Sequence, residues 1–352
     1  DDVLGTADIS SATGGVVSVT VDDLSIGQHA VVATYDGDDS FTGSTGSVSQ
    51  KVQRAQTATT LTSSVNPSQS GQGIRFTATV APVAPGAGEP SGTVQFTVNG
   101  ANLGSPVALV DGAATSNLFS SLSPGTYRIA ATYSGDPRFV GSSSVLDQGN
   151  GQEVTKGATS MELVADTPVA DHGETVTFTV TVAGVAPANG KPTGVVQLWN
   201  GGTLLGAASL APTSEPRTST ATFATAGLAP GSHEVRAVYV GNFNFEGTEA
   251  TTVQAVGVAE TVVGVASDAN PSVYGDTVTL TATVANAHPG VAAPTGNVVF
   301  RSGDDVVGQA QVVTEDGTST ATLEVEGLTA GSHDITATYS GDVAHAGDTS
   351  PV

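Results

Sequence analysis

Apolar and polar residues alternate with a period of two along most of this chain. One such series is Ile74, Phe76, Ala78 and Val80, which alternate with Arg and Thr. Comparable series recur twice, as Val176, Phe178, Val180, Val182 and as Val278, Leu280, Ala282, Val284. A period of two is typical of a β-strand with one buried face. No 11-residue window has the apolar stripe of an amphipathic helix. The pattern therefore predicts an all-β fold.

The stretch between residues 57 and 145 shows how the strands are arranged. Turn segments rich in Gly, Pro and Asn divide it into short apolar runs. Seven strands in about 100 residues are typical of two antiparallel sheets packed face to face. The predicted strands are Thr57–Ser63, Gly73–Ala81, Gly92–Val98, Leu103–Val110, Ala113–Phe119, Tyr127–Tyr133 and Val140–Val145.

One short phrase returns four times along the chain. It reads ATYDGDDSF at 33–41, ATYSGDPRF at 131–139, AVYVGNFNF at 237–245 and ATYSGDVAH at 337–345. The tyrosines of these phrases lie about 100 residues apart, which is the period of a whole domain rather than of a solenoid repeat. They are Tyr35, Tyr133, Tyr239 and Tyr339.

A second motif precedes each of these tyrosines. It consists of a Leu, a Gly turn and then a His or Tyr that begins the next strand, as in LAPGSHEV from Leu228. Counting by twos places His233, Val235, Ala237 and Tyr239 on one strand face, so the phrase is a core strand that runs into a Gly-Asp or Gly-Asn turn. We expect the residue at the strand start to hydrogen-bond back to the preceding corner, and this structural role is favoured over metal ligation. These corner residues are His29, Tyr127, His233 and His333.

Together these motifs resemble a known family. The phrases PSGTVQF, PTGVVQL and PTGNVVF are each followed by L-x-x-G-x-[HY] and then by Y-x-G-[DN], a pattern similar to the bacterial Ig-like domain repeats of group 3. The resemblance covers essentially the whole chain. It implies tandem seven-stranded antiparallel Ig-like β-sandwiches of bacterial surface and secreted proteins, sometimes attached to enzymes or phage virions, and it implies no catalytic residues.

The repeat predicts four domains. Residues 1–53 are the C-terminal part of an incomplete domain, 54–155 and 156–258 are whole domains, and 259–352 lack a full last strand. We expect residues outside this segment to complete the first domain, and the alternative is completion by a neighbouring molecule in a head-to-tail fibre. The linkers are short and contain no long Gly/Ser run, which favours an elongated, semi-rigid rod.

Charge and composition exclude several kinds of partner. Acidic residues outnumber basic ones 33 to 10, for a net charge of −23, and no basic stripe is present. Nucleic acid and anionic membrane surfaces are therefore poor partners. Without cysteine the chain has neither disulfides nor thiolate metal sites. The chain contains no run of about 18 apolar residues, so insertion of this segment into a membrane is not predicted.

Candidate chemistry is sparse. No metalloprotease, nucleophile-elbow, P-loop or dinucleotide motif occurs, which favours a non-enzymatic protein without catalytic residues or cofactor. Asp36, Asp38 and Asp39 are candidate calcium ligands, although acids in such turns more often bond their own backbone. Calcium between domains is a further hypothesis, with Asp166, Asp171, Asp268 and Asp276 as candidates.

Three aromatic residues of the third repeat are candidate binding residues. Trp199 follows the inward-facing Leu198, so strand alternation points it outward, and Phe243 and Phe245 are unusual for this turn. The sequence predicts a semi-rigid extracellular stalk or surface fibre shaft that contacts other proteins, glycans or neighbouring copies. The alternatives are a module that binds a glycan or host protein, and an accessory array of a phage virion or secreted enzyme.

Overall fold

The computed structural model describes residues 2–9 and 15–352, so the beginning of the predicted 1–53 domain falls partly outside the described residues. Nearly all regular structure is β-strand, and the described helix is a four-residue 3-10 turn, Leu146–Gly149. The chain divides into two compact units, the first ending at Thr155 and the second beginning at Lys156. These observations confirm the all-β fold class.

The first unit contains a hairpin and a β-sandwich. The N-terminal hairpin pairs β1 (Gly27–Gly37) with β2 (Thr42–Val52) in a two-stranded sheet. In the first sandwich, one sheet has the order β3-β5-β9, and the others have the orders β12-β11-β6-β7 and β10-β13-β4, with β8 also pairing with β6. The strands are β3 (Thr57–Ser63), β4 (Ser68–Gln69), β5 (Phe76–Pro82), β6 (Thr93–Val98), β7 (Ala101–Asn102), β8 (Val107–Ala108), β9 (Ala113–Thr115), β10 (Gly125–Tyr127), β11 (Ile129–Tyr133), β12 (Ser143–Val145) and β13 (Gln152–Thr155).

The second unit begins with the second sandwich. One of its sheets has the order β14-β16-β20-β19, and the other has the order β15-β22-β21-β17-β18. The strands are β14 (Thr159–Ala165), β15 (Val169–Asp171), β16 (Val176–Gly184), β17 (Val195–Asn200), β18 (Thr203–Ser209), β19 (Ala211–Pro212), β20 (Thr218–Thr225), β21 (Gly231–Tyr239) and β22 (Thr248–Gly257).

The third sandwich completes this unit. Its sheets have the orders β23-β24-β28-β27 and β26-β25-β29-β30. The strands are β23 (Thr261–Ser267), β24 (Thr277–Asn286), β25 (Asn297–Ser302), β26 (Asp305–Gln311), β27 (Val313–Glu315), β28 (Thr318–Glu326), β29 (Ile335–Tyr339) and β30 (Asp348–Thr349).

Each sandwich has its own apolar core between its sheets. All twelve residues of the three alternating series are at most 3% exposed, as their spacing predicts. Val180 on β16 and Leu198 on β17 belong to one cluster, which shows that the two sheets pack face to face. Burial of these Val, Leu and Phe side chains is the main stabilising contribution to each sandwich.

The structure corrects three details of the predicted sandwiches. The sheets are not wholly antiparallel, because β4 runs parallel to β13 and β15 runs parallel to β22. The second sandwich also has more than seven strands, since its first segment changes sheets: β14 lies in one sheet and β15 in the other. Within the predicted strand Leu103–Val110, only β8 is a strand.

Candidate functional site

The recurring tyrosine phrase forms a tight turn between the last two long strands of each repeat. We call it the tyrosine turn and define it as residues 35–43, 133–141, 239–247 and 339–347. Its first glycine has a positive φ in every copy, for example +84° at Gly241. A Cβ at Gly241 would lie 2.7 Å from the carbonyl oxygen of Phe245, so both the backbone conformation and the available space require glycine.

The residue after this glycine closes the turn with its side chain. The Oδ1 atom of Asp136 accepts hydrogen bonds from the backbone N–H groups of Arg138 and Phe139, at 2.8 and 2.7 Å. Asp38, Asn242 and Asp342 make the equivalent pair of bonds in their own turns. This is the Asx-turn role that the sequence favours for such residues.

The same side chain also reaches the strand that begins with Pro-Ser/Thr-Gly. Oδ2 of Asp136 accepts bonds from the N–H and hydroxyl of Ser91, at 2.8 and 2.7 Å. Asp342 holds Thr295 in the same way, at 2.9 and 2.7 Å. In the second sandwich, the amide nitrogen of Asn242 donates to the hydroxyl of Thr193 at 2.9 Å. Two separate sequence motifs are therefore joined in each sandwich.

The tyrosine itself adds a third bond to this strand start. The hydroxyl of Tyr133 donates to the carbonyl of Ser91 at 2.6 Å. Tyr239 and Tyr339 donate to the equivalent threonine carbonyls at 2.8 and 2.6 Å. All three rings are 1% exposed. The phenol thus combines a buried ring with a satisfied hydroxyl.

Ionisation within the turn follows from this geometry. Burial raises the pKa of the phenols, reaching about 12 for Tyr339, where the Asp342 carboxylate adds to the effect. Burial alone would raise the pKa of the Asp136 and Asp342 carboxyls, but the donated hydrogen bonds outweigh it and lower both. At neutral pH, the turns of the first and third sandwiches therefore contain a neutral phenol donor and a carboxylate acceptor.

The segment that precedes each sandwich also bonds to its tyrosine turn. The N–H of Ala55 donates to the carbonyl of Arg138 at 2.9 Å, and its carbonyl accepts from Val140 at 2.8 Å. Gly157 and Ala259 make the matching pairs in the second and third sandwiches. In each sandwich the tyrosine turn thus joins two other chain segments.

The predicted corner residues lie where the sequence places them. The Nε2 atom of His233 donates to the carbonyl of Ala229 at 2.6 Å, and its Nδ1 accepts from the amide of Asn200 at 3.0 Å. His29 and His333 make the same bond to the carbonyl four residues earlier, and Tyr127 makes it through its hydroxyl at 3.0 Å. Each of these imidazoles is thus hydrogen-bonded to a backbone carbonyl.

The N-terminal hairpin carries the same turn without the strand start. The Tyr35 hydroxyl donates to Oδ2 of Asp38 at 2.9 Å. Hydrogen bonds, first from the Ser40 backbone and then from Tyr35, lower the pKa of Asp38. Phe41 is 69% exposed, whereas its counterparts Phe139 and Phe245 are 2% and 3% exposed. The hairpin therefore presents residues that the sandwiches bury.

The central calcium candidate is already hydrogen-bonded within its own turn. Of Asp36, Asp38 and Asp39, the middle residue uses both carboxylate oxygens for bonds within its own turn. In the part of the chain that is described, no three His, Asp or Glu side chains are grouped to hold a metal ion. Asp166, Asp268 and Asp276 each bond a backbone N–H of their own domain. Calcium binding stays a prediction for a chelator experiment.

The three aromatic candidates lie in different environments. Phe243 is 67% exposed at the tip of its turn. Trp199 is half-buried on β17, opposite Leu204 and Arg236. Phe245 is only 3% exposed and belongs to the core of the second sandwich. This placement removes Phe245 from the candidate binding residues, because the turn directs its ring inward.

Both motifs are recognisable in the sequence, whereas the bonds between them are not. The Pro-Ser/Thr-Gly motif and the tyrosine turn recur together in every complete repeat, and this joint recurrence is the signal that they meet. No motif marks Ala55, Gly157 and Ala259, since they act through backbone atoms alone.

Among the described residues, no helix is long and apolar enough to span a membrane.

Several solved structures are similar to this chain, each at low identity. Three domains of titin share 16% identity, with 80% of this chain and 91% of that chain covered and a TM-score of 0.36. The Escherichia coli adhesin FdeC shares 14%, with coverages of 84% and 96% and a TM-score of 0.27. Three N-terminal domains of the bacteriophage RB49 outer capsid protein Hoc share 15%, with coverages of 84% and 97% and a TM-score of 0.27. No curated protein matches the sequence.

The family comparison agrees with the fold and with the repeated turn. The family described as bacterial Ig-like domain (group 3) matches residues 61–148, 163–258 and 265–352, which together make up more than half of the chain. Each matched range contains one tyrosine turn and lies within one β-sandwich. The chain therefore belongs to the family of bacterial Ig-like domains, group 3.

Proposed function

We propose that this chain is a non-enzymatic structural array, a semi-rigid extracellular stalk or fibre shaft that holds a partner away from a surface. The observation that carries the proposal is the tyrosine turn, which in all three sandwiches is hydrogen-bonded to the strand that begins with Pro-Ser/Thr-Gly. Its conspicuous polar side chains, such as Asp136 and Tyr133, are occupied by structural hydrogen bonds. The repeated polar chemistry thus fixes strand ends rather than binding a substrate.

The linkers support limited bending. Only three residues separate β13 from β14 and β22 from β23, and four separate β2 from β3. One residue in each linker, Gly157, Ala259 or Ala55, is bonded on both sides to the tyrosine turn of the sandwich that follows. Short linkers of this kind support the proposed limited bending.

Small-angle X-ray scattering of the whole chain tests this proposal. End-to-end sandwiches with strands of ~30 Å would give a rod about 120 Å long and a radius of gyration near 35 Å. A compact globule of this length would have a radius of gyration of about 20 Å. Values near the compact figure would contradict the stalk.

An adhesive role is a second candidate, favoured by one specific observation. Val240 and Phe243 are 74% and 67% exposed in the same tyrosine turn, so the second sandwich carries an apolar tip. Exposed apolar side chains at loop tips are common contact residues for a glycan or protein. Glycan-array binding that is lost in Phe243→Ala but retained in Val306→Ala, an exposed site on the third sandwich, would support adhesion. Absence of binding would leave the stalk as the function.

A further inference from the structure

A buried histidine distinguishes the tyrosine turn of the third sandwich. His345 is 2% exposed and occupies the position that Phe139 and Phe245 hold in the first and second sandwiches. The backbone arrangement is the same, since Ala259 pairs with His345 as Gly157 pairs with Phe245. The third sandwich therefore places an ionisable ring where the other two place an apolar one.

Both nitrogens of this ring face oxygen atoms that only accept hydrogen bonds. Nδ1 of His345 lies 2.7 Å from Oδ1 of Asp342, and Nε2 lies 2.9 Å from the carbonyl oxygen of Ala292. That carbonyl also accepts from the side-chain amide of Asn286 at 2.9 Å. A neutral imidazole has one N–H, so its other nitrogen would direct a lone pair at one of these oxygens. A doubly protonated ring donates to both.

Asp342 presents a negative charge to the ring. Its Oδ1 also accepts from the backbone N–H groups of Ala344 and His345, at 2.8 and 2.9 Å, and its Oδ2 accepts from Thr295. Burial alone would raise the pKa of this carboxyl, but these bonds and the bond from the ring of His345 lower it. The contact between the ring and Asp342 is thus an ion pair whenever the ring is protonated.

Other titratable groups lie on the elements around the ring. Tyr339 is in the same turn, and burial raises its pKa to about 12, so it is neutral. Glu260 follows the entry residue Ala259 and Asp348 lies on β30, so both add negative charge near the turn. His288 is in the loop between β24 and β25. The acidic groups favour a cation at the ring.

We propose that His345 is protonated on both ring nitrogens in the folded protein and forms, with Asp342 and the Ala292 carbonyl, a pH-sensitive latch between the tyrosine turn and the loop 287–296. The protonated ring joins the two segments by two charge-assisted hydrogen bonds. When the ring loses one proton, one of these bonds is replaced by a lone pair that faces an oxygen. The inference goes beyond the stalk, because it makes one sandwich of the array respond to pH.

The sign of the pH dependence follows from the unfolded chain. There the imidazole has no such pair of acceptors, so protonation favours the folded sandwich. The stability of the third sandwich should therefore rise as the pH falls from about 8 to about 6, the range in which histidine takes up a proton.

NMR of the whole chain, labelled with nitrogen-15 in its histidines, tests the protonation state of the ring. Two-bond proton–nitrogen spectra report each ring nitrogen separately. We expect both nitrogens of His345 to be protonated at pH 7, and His345→Phe identifies the two signals by removing them. His233 is the internal control, because its Nδ1 accepts from Asn200 and should be unprotonated at that pH. A single protonated nitrogen on His345 at pH 7 would overturn the proposal.

The stability of the third sandwich tests the latch itself. Pulsed hydrogen exchange in urea follows the amides of β24 and thereby the unfolding of this sandwich. We expect the equilibrium constant for unfolding to rise about tenfold between pH 6 and pH 8. His345→Phe carries the residue of the other two sandwiches, so it should fold and lose this rise. An equal rise in the two proteins would exclude His345 as its source.

Asp342→Asn separates the charge of the latch from its shape. Asn242 occupies this place in the second sandwich and closes the turn there, so the variant should fold. Its side-chain oxygen still accepts, but the negative charge that favours the second proton is absent. We expect the rise between pH 6 and pH 8 to shrink to about twofold and one nitrogen of His345 to be unprotonated at pH 7. A variant that keeps the full rise would show that the ion pair is not its cause.

Discussion

Asp342 holds Thr295 by two hydrogen bonds to one carboxylate oxygen, at 2.9 Å from the backbone N–H and 2.7 Å from the hydroxyl. The two residues are 47 positions apart in the sequence. Their contact fixes the start of one core strand to the turn at the end of another. Each sandwich joins the same two motifs, with Asn242 and Thr193 as the linked pair in the second, so one sandwich can serve to test the connection. The second is suitable, since Trp199 is the only tryptophan and reports its unfolding.

Removing the turn side chain should destabilise the second sandwich. Asn242→Ala leaves two turn N–H groups and the Thr193 hydroxyl without this partner, so we expect a loss of about 2 kcal/mol in the free energy of unfolding. Urea titration followed by Trp199 fluorescence measures it. Val240→Ala, at a 74% exposed position in the same turn, is the control and should change stability little. Equal urea midpoints for the two variants would show that the Asn242 side chain does not contribute to stability.

Adding one methyl group to the turn glycine should be more disruptive. Gly241 has φ +84° and its Cβ would lie 2.7 Å from a backbone oxygen, so Gly241→Ala should cost about 2 kcal/mol or more. Gly227→Ala provides the control in the same sandwich, because the nearest atom to its Cβ is the Thr225 hydroxyl at 4.0 Å. The same Trp199 titration compares the two variants. A Gly241 variant as stable as the control would refute the steric argument.

The corner residue should tolerate exchange between His and Tyr. His233→Ala removes the 2.6 Å bond to Ala229 and should destabilise the second sandwich by about 1–2 kcal/mol. His233→Tyr should retain most of the stability, since Tyr127 makes the equivalent bond in the first sandwich. If Tyr proves no better than Ala at this position in the urea titration, the bond is not the reason for the corner residue.

The stability of the sandwiches at acid pH should depend on the turn carboxylates. The folded-state pKa values of Asp136 and Asp342 lie below the ordinary 3.8, so their contribution is fully present above that value. It is lost as pH falls through the folded-state pKa values. Asn242→Asp should give the second sandwich the same dependence of stability on pH. The urea midpoint followed by Trp199 fluorescence should then fall more between about pH 5 and pH 2 than it does in the unmodified chain. Parallel pH profiles for the two proteins would contradict this assignment.

The hairpin should exchange its amide hydrogens faster than a completed sandwich. Residues 42–50 in β2 are all exposed and pair only with β1, whereas β22 lies within a five-stranded sheet. A two-stranded hairpin is marginally stable in water. Hydrogen exchange of the whole chain should therefore show much lower protection in β2 than in the equivalent β22. Equal protection would mean that the hairpin is stabilised by contacts beyond its own pairing.

Much of the fold follows from the sequence because burial alternates so regularly. The spacing of Val176, Phe178 and Val180 is sufficient to identify a core strand, and the repeated turn glycine identifies its end. The change of sheet between β14 and β15 is not predictable in this way, since it depends on which edge is open after folding. The burial of Phe245 is equally hard to predict, because an aromatic residue in a turn phrase has no strand periodicity to indicate its direction.

The backbone bonds of Ala55, Gly157 and Ala259 have a mechanical consequence. A chain under tension enters each sandwich through one of these residues, and each is tied to the tyrosine turn before the first strand begins. The applied force therefore reaches the turn, and the hydrogen bonds of its Asp or Asn side chain, before it reaches the hydrogen bonds between the strands. Within one sandwich, the first event of extension should be the release of this entry segment, while the core behind it stays folded.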